Sequence, residues 1–333
     1  LRDCITSIVS GQYEKVFNYQ VEVTFKPDVT LDEKNSEVER IKKINKVKDT
    51  LIANKESVEI ENKDTNQSIQ LIVPFSSPDG FITLKNRVSK EKYTLNDNII
   101  VSEKLSKLLD LKKGDKLKLK TDKEYTATIG GITENYFLHY IYMDKDLYDS
   151  SFYNTLFIKT DDLTEEEEKV LATEIKKNDT ISNISFTSST RNVFDSTMKN
   201  FGLVALVLVV SAGLLAFVVL YNLANVNISE RIRELATIKV LGFYDREVYN
   251  YVGRETTILT GIGMFFGILI GKALTVFILK TCELDQIMFG TTIKIQSYIY
   301  SLLLTLFFTL LVNITTYFAL KKVDMIESLK SIE

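Results

Sequence analysis

The sequence predicts an α+β extracytoplasmic domain followed by an α-helical membrane domain of three transmembrane helices. Three observations carry this. Polarity is split along the 333 residues: the first part is rich in Lys, Glu, Asp, Asn and Thr, and the last third is strongly apolar. The apolar third contains three runs long enough to cross a bilayer, which takes about 20 apolar residues as helix. Lys and Arg are distributed unevenly between those runs, which sets their direction. The boundary is read as 1–197 for the polar domain and 198–333 for the membrane domain.

Composition removes several function classes. A net charge of −3 and the lack of a basic stripe interleaved with aromatics argue against a nucleic-acid partner. Two cysteines, Cys4 and Cys282, cannot make a disulfide framework. No C-x-x-C or Cys/His pair is present for zinc. The chain starts at Leu1 without a signal peptide of its own and is expected to be the C-terminal part of a longer polypeptide. Its Lys, Asn and Ile content fits an AT-rich bacterial genome.

The polar domain reads in order as follows. Leu1 to Gln12 is a helix continuing from something earlier, expected to be a further membrane helix. Val16 to Phe25 has strand composition. Thr30 to Ala53 reads as a helix, with Leu31, Val38, Ile41, Ile44, Val47 and Leu51 on one face. "SVEIEN" and "QSIQLIVPF" are strands. "VSEKLSKLLDLKKGDKLKLK" is a short helix, a turn at Gly114-Asp115, then a strand. "EYTATIGGITENY" is a strand ending at Gly130-Gly131. "LTEEEEKVLATEIKKN" is a helix in which Thr164 and Glu167 have capping-box spacing. "ISNISFTS" returns as a strand, and strands returning after helices imply a βαβ-type unit.

Two features there invite a site and are weighed against it. The run Glu165 to Glu168 lacks the alternating ligands and Gly of a calcium loop and suits a helix first turn. His139, the single histidine, has no Ser, Cys or paired-carboxylate motif beside it and reads as structural. The surrounding Tyr136, Phe137, Tyr140 and Tyr142 read as core or a domain contact.

The transmembrane helices are placed at about 201–226, 256–280 and 297–320. The segment 227–254 between the first two carries Arg231, Arg233, Lys239, Arg246 and Arg254, and the tail 321–333 carries Lys321, Lys322 and Lys330. The loop between the second and third has Lys294, with Lys280 at its edge. An excess of Lys and Arg marks the cytoplasmic side, so 227–254 and the tail are cytoplasmic and residues 1–197 extracellular, in a multi-pass protein of a bacterial plasma membrane. Cys4 and Cys282 then lie near the same outer face, and nothing in the sequence fixes their distance. Within the second helix, Gly263, Gly267 and Gly271 recur every four residues and offer a smooth stripe for helix packing. A phosphate-loop reading of Gly271-Lys272 fails, because the glycine spacing is short and Ala273 stands where Ser or Thr would hold magnesium. Lys272 is the one charge inside a span, either functional or snorkelling outward.

After Asn225 the helix is expected to run on as an amphipathic segment, with Ile228, Ile232, Leu235, Ile238 and Leu241 at helical spacing. Gly242 is placed to stop it, and Asp245 to start the next helix. Its mixed charge, with Glu230, Glu234, Asp245 and Glu247 beside the basic residues, favours a protein partner over lipid.

"SERIRELATIKVLGFYDREV", a glycine-spaced helix, and a last span ending in "KKVDMIESLKSIE" together resemble the C-terminal part of FtsX-like (MacB-type) ABC transporter permeases. The matching residues are Glu230, Arg231, Glu234, Leu235, Ala236, Lys239, Gly242, Phe243 and Glu255, with Glu327, Ser328, Leu329 and Lys330 in the tail. The resemblance covers about Phe201 to Glu333 and extends more weakly outward through "LDLKKGDKLKL" and "GGITENY" to a MacB-like extracytoplasmic domain. It implies a non-catalytic permease subunit with no cofactor of its own, ATP and Mg residing on a separate cytosolic ABC ATPase. It implies a second permease half or a homodimer in the membrane. Coupling to the ATPase falls on Glu230, Arg231, Arg233, Glu234, Lys239, Gly242 and Phe243, and ATP hydrolysis would move the extracellular domain for export, extraction or signalling. The family also expects a span before the outer domain. A membrane-anchored sensor or scaffold regulating a cell-wall enzyme is the alternative; a membrane enzyme is disfavoured, since no nucleophile–base pair or metal cluster is visible.

Overall fold

The computed structural model describes residues 2–62, 65–121, 123–148, 152–281, 284–290 and 293–321. The chain divides into two compact units, Arg2–Met198 with Cys282–Gly290, and Lys199–Thr281 with Thr291–Glu333.

The outer unit begins with helix α1 (Arg2–Ser10), which widens into a π-helical turn at Gly11–Val16. Strand β1 (Val21–Phe25), α2 (Leu31–Lys42) and β2 (Val47–Asn62) follow. Then come β3 (Thr65–Pro74), β4 (Ile99–Ser102), α3 (Glu103–Leu108), β5 (Lys116–Lys120), β6 (Glu124–Thr133) and β7 (Tyr140–Met143). Strand β8 (Thr155–Thr160), α4 (Glu165–Ile175) and β9 (Ile181–Phe186) complete the set. The nine strands make one sheet in the order β5-β6-β4-β7-β3-β2-β8-β1-β9.

That order resolves into a frame and an insertion. Strands β2, β8, β1 and β9 are neighbours in antiparallel pairs, and α2 and α4 connect β1 to β2 and β8 to β9. This is the ferredoxin-like βαββαβ arrangement. Everything from β3 to β7 is inserted between its second and third strands. The 16-residue β2 serves both parts: Val47–Ala53 pairs with β8, and Ala53–Asn62 pairs with β3. In the inserted lobe β3 runs parallel to β7, β7 antiparallel to β4, β4 parallel to β6, and β6 antiparallel to β5.

Period-2 side chains split the apolar residues between the two sheet faces. One face of the frame buries Val21, Val23, Leu156 and Ile158 against Val38 and Ile41 of α2 and Leu171 and Ile175 of α4. The same side of the insertion buries Leu71, Val101, Leu119 and Ile141 with Leu105 of α3. The other face, carrying Leu51, Ile72, Ile100, Tyr142 and Phe157, is one continuous core across both lobes. It is covered by Ile8, Val16 and Phe17 near the N-terminus, by Phe81 and Ile82, and by Met288.

Two expectations are corrected here. The helix read as running to Ala53 ends at Lys42; Lys46 takes φ +79° and Val47 and Leu51 lie in β2. The left-handed residue ends helical propagation, and a β-branched, alternating stretch follows that fits the pleat. Strand β6 runs through Gly130-Gly131 to Thr133 rather than stopping there, with Asn98 and Tyr93 packed over the two glycines. The capping box at Thr164 and Glu167 forms on α4, and a second forms at Thr30 and Glu33 on α2.

The second unit is helical. Helix α5 (Thr187–Glu230) is continuous for 44 residues, so it starts well before the apolar run. Helix α6 (Ile232–Val240), α7 (Asp245–Thr281) and α8 (Ile295–Lys321) follow. Three segments are long and apolar enough to cross a membrane: Gly202–Glu230, Thr257–Thr281 and Ile295–Phe318. Most of their large apolar side chains face outward, as lipid-facing helices require. Gly213 of α5 lies against the Phe308 ring of α8 so closely that a Cβ there would collide with it.

Candidate functional site

The segment between the first two apolar helices is a compact hairpin. Helix α5 breaks at Arg231, α6 starts at Ile232, and the backbone reverses at Leu241–Gly242. Ile228, Leu235 and Val248 pack together with Ile238, so the apolar face of α6 is turned onto the start of α7. Gly242 has φ +95°, and the Phe243 N–H donates to the Ile238 carbonyl at 3.4 Å. This is the hydrogen bond of a Schellman C-cap, with glycine in the left-handed position. On the far side, the Tyr244 N–H donates to the Glu247 carboxylate at 2.9 Å and caps α7.

The two caps fix an exposed tip. Leu241 is 73%, Phe243 52% and Tyr244 78% exposed, an unusual display for three large apolar or aromatic residues in a row of four. Glu230, Arg233 and Glu234 are also exposed and Arg231 is half-buried; the Lys239 side chain is outside the described ones, although its backbone belongs to α6. The structure thus brings Glu230, Arg231, Arg233, Glu234, Gly242 and Phe243 into one hairpin. Leu241 departs from the expected apolar face because α6 ends one residue earlier and turns it outward. Leu241 and Tyr244 complete the tip, and the sequence signal for them was their place beside a helix-stopping glycine. Glu327, Ser328, Leu329 and Lys330 lie outside the described residues.

Gly263, Gly267 and Gly271 lie on one side of α7, and a Cβ built at any of them meets no atom within 4 Å among the described residues. Gly263 and Gly267 line a groove of about 350 Å³ with Leu220 and Leu223 of α5 and Ser301 and Thr305 of α8. Among the described residues of this unit, the close glycine contact is at Gly213 instead. Lys272 is exposed on α7.

In the outer unit, the aromatics around His139 are structural: Tyr136, Tyr140 and Tyr142 are buried in the shared core. His139 is 1% exposed, and neither ring nitrogen has a hydrogen-bond partner among the described residues. Gln12, buried in the π-helical turn, donates to Asn135 Oδ1 at 2.9 Å and accepts from the Tyr136 and Phe137 N–H groups at 2.9 and 3.2 Å. Sequence reading passed over Gln12, because only the π-turn geometry aims it inward. Asp97, Asp144 and Asp146 converge, but the Asp144 carboxylate already accepts from the backbone N–H groups of Asp97 and Asp146 and holds a turn. Cys4 is buried, and Cys282 lies outside the described residues.

Residues 206–325 match the family model described as FtsX-like permease C-terminal, which bears out the resemblance over that part of the chain. Among solved structures, the chain is similar to the periplasmic region of MacB from Actinobacillus actinomycetemcomitans. That match has 9% identity, covers 56% of this chain and 97% of that one, and has a TM-score of 0.34. It is also similar to the extracellular domain of the noncanonic ABC-type transporter YknZ from Gram-positive bacteria, with 14% identity, 47% and 90% coverage, and a TM-score of 0.31. No curated protein matches the chain.

Proposed function

Starting from the FtsX-like match over 206–325, we propose that this chain is a permease subunit of an ABC transporter complex. It carries no catalytic machinery of its own and passes ATP hydrolysis on a separate cytosolic ATPase, which holds ATP and Mg, to the outer α+β unit. The observation that supports this most is the capped hairpin tip Leu241–Tyr244, with Arg233 and Glu234 exposed at the other end of the helix that leads to it. A fixed tip of exposed apolar and aromatic residues, on a hairpin that carries both charge signs, suits a groove on a soluble partner better than a lipid surface. The Lys and Arg balance supports a cytoplasmic tip with residues 1–197 outside, in a reading that sets the chain in a bacterial plasma membrane. The open glycine stripe on α7 suits a second permease half or a second copy of this chain.

Co-purification tests the reading. The wild-type chain should bring down a nucleotide-binding subunit. Phe243→Asp should weaken that association about 30-fold or more, as loss of a central aromatic anchor does. Charge reversal at Arg231 and Glu234 should leave the membrane unit folded and abolish stimulation of the ATPase. Unchanged stimulation in that double variant, or a chain that isolates with a wall enzyme and no ATPase, would overturn the proposal in favour of the sensor or scaffold.

A further inference from the structure

The segment between α7 and α8 is built into the outer unit. Residues 284–290 group with that unit, although the sequence places them in the membrane domain. The Leu138 N–H donates to the Gln286 carbonyl at 2.7 Å, and the Met288 N–H donates to the Tyr136 carbonyl at 3.0 Å. Phe137 and Ile287 form an antiparallel bridge between these two bonds. Met288 is 4% exposed within the shared core, and Ile287 and Phe289 pack against it. Gly290 lies against Ser7 of α1 so closely that a Cβ there would collide with the Ser7 Oγ, and that hydroxyl donates to the Cys4 carbonyl at 2.7 Å. Ladder bonds, a buried anchor and a close glycine contact together make a firm attachment.

The strip that receives it is held from both sides. Residues 134–139 join β6 to β7, and Leu138 takes φ +60°. A bulky residue in the left-handed region persists only where its surroundings over-determine it. Gln12 accepts from the Tyr136 and Phe137 N–H groups, and Asn135 Nδ2 donates to the Phe137 and Leu138 carbonyls at 2.8 and 2.9 Å. At the end of the strip the His139 carbonyl accepts from the Gln70 N–H of β3 at 2.7 Å. A pull on the strip therefore passes to β6, β7 and β3, all strands of the inserted lobe.

The covalent links on either side of the segment are short. Only residues 282–283 separate it from the end of α7 at Thr281, and only 291–294 from the start of α8 at Ile295. At roughly 3.5 Å per extended residue, neither link holds much slack. Helix α5 is attached elsewhere. It opens at Thr187, directly after β9 ends at Phe186, and β9 is the outermost strand of the frame. The membrane helices thus join the outer unit at two places, one in each lobe.

We propose that residues 284–290 are a fixed clamp through which α7 and α8 drive the inserted lobe, while α5 drives the frame. This rests on the reading that ATP hydrolysis on a partner moves the outer unit, and adds a route for that motion. Displacement of α7 or α8 beyond the slack of its link is delivered to the strip 134–139. Displacement of α5 is delivered to β9. A second route to the strip is weaker. Arg191 of α5 pairs with Glu14, on the same π-helical turn as Gln12, but those two side chains are 47% and 48% exposed. Exposed ion pairs of this kind contribute little.

Slackening the links tests the route. The full chain is placed in lipid nanodiscs with the nucleotide-binding subunit it brings down, and amide exchange is compared with and without ATP. One variant carries about ten Gly and Ser residues between Glu283 and Leu284, and as many between Gly290 and Thr291. Loop-closure entropy grows slowly with length, so the clamp should stay docked and exchange across 134–139 without ATP should match wild type. In wild type, ATP should change exchange across 134–139 by about fivefold or more, the low end of ordinary coupling between sites. In the slackened chain that change should disappear, while the change at Thr187–Arg191 remains. Met288→Asp, with both links short, should also abolish the ATP response of the strip. A segment with only a structural role would leave the response of the slackened chain intact. The proposal is overturned by a strip that ignores ATP while Thr187–Arg191 responds, by a slackened chain that responds as wild type does, or by slackening that itself exposes 134–139. If no ATPase associates with the wild type, or ATP changes neither region, the permease reading fails and the clamp fails with it.

Discussion

Gln12→Leu removes three hydrogen bonds while keeping the side-chain volume nearly constant. The Tyr136 and Phe137 N–H groups and Asn135 Oδ1 lose their shared partner in a site that is 2% exposed at Gln12. Each buried polar group left unsatisfied costs about 1–3 kcal/mol. Taking the low end for all three, because small shifts admit water, the strip 134–139 should lose about 3 kcal/mol of local stability. That is roughly a hundredfold in its opening equilibrium. Amide hydrogen exchange on the full chain in nanodiscs reads this directly. Peptides spanning 134–139 should exchange about a hundredfold faster, while β8 and β1 keep their protection. Gln12→Glu keeps both acceptor contacts to the amides and should protect them better than leucine does. If the leucine variant exchanges at the wild-type rate across 134–139, the strip is not held by Gln12 and the reasoning fails.

Gly213→Leu should force α5 and α8 apart at Phe308, an overpacking effect of about 1–3 kcal/mol, seen as a lower thermal midpoint of the chain in detergent; Phe308→Ala in the same chain should restore part of it. Gly242→Val puts a branched residue at φ +95°, and should cost about 1–2 kcal/mol; faster exchange of the Phe243 amide, with no change in α8, would register it. The Glu167 carboxyl is held down at about 2 by its contacts with Lys46, then with Thr164. Because its pKa is lowered on folding, its support of the α4 N-terminus is fully present above the ordinary carboxylate range and is lost as pH falls towards about 2. The protection of the first-turn amides of α4, taken relative to the intrinsic exchange rate at each pH, should therefore fall on acidification, and Glu167→Gln should remove that pH dependence.

Local signals were legible wherever the physics is local. The capping box at Thr164 and Glu167, the alternation of "QSIQLIVPF", the stop at Gly242 and the three apolar helices are each specified within one or two turns of chain. Val47 and Leu51 were misread because a helical spacing of apolar residues happened to continue past Lys46, where a positive φ breaks it. Gly130-Gly131 looked like a strand end because glycine usually marks one; Tyr93 and Asn98, far away in sequence, supply the cover that lets the strand continue. The docking of 284–290 had no periodic signature at all, only Ile287, Met288 and Phe289 in a short loop. Gln12 and the hairpin tip illustrate the same divide: the glycine that ends α6 was visible, whereas the inward aim of Gln12 depends on a π-turn and on a strip more than 120 residues away.

The position of the insertion has a consequence for how the chain folds. The pair Val58↔Ile69 closes within a short hairpin, but Leu51↔Phe157 on the other half of the same strand must wait for the whole inserted lobe to pass. Long-range pairings carry the larger loop-closure entropy and form later. As the chain emerges during synthesis, the inserted lobe can therefore assemble on the distal half of β2 while the proximal half is still an open edge. The ferredoxin-like frame closes only when β8 arrives, so the part of the outer unit that is first in sequence is the last to be finished.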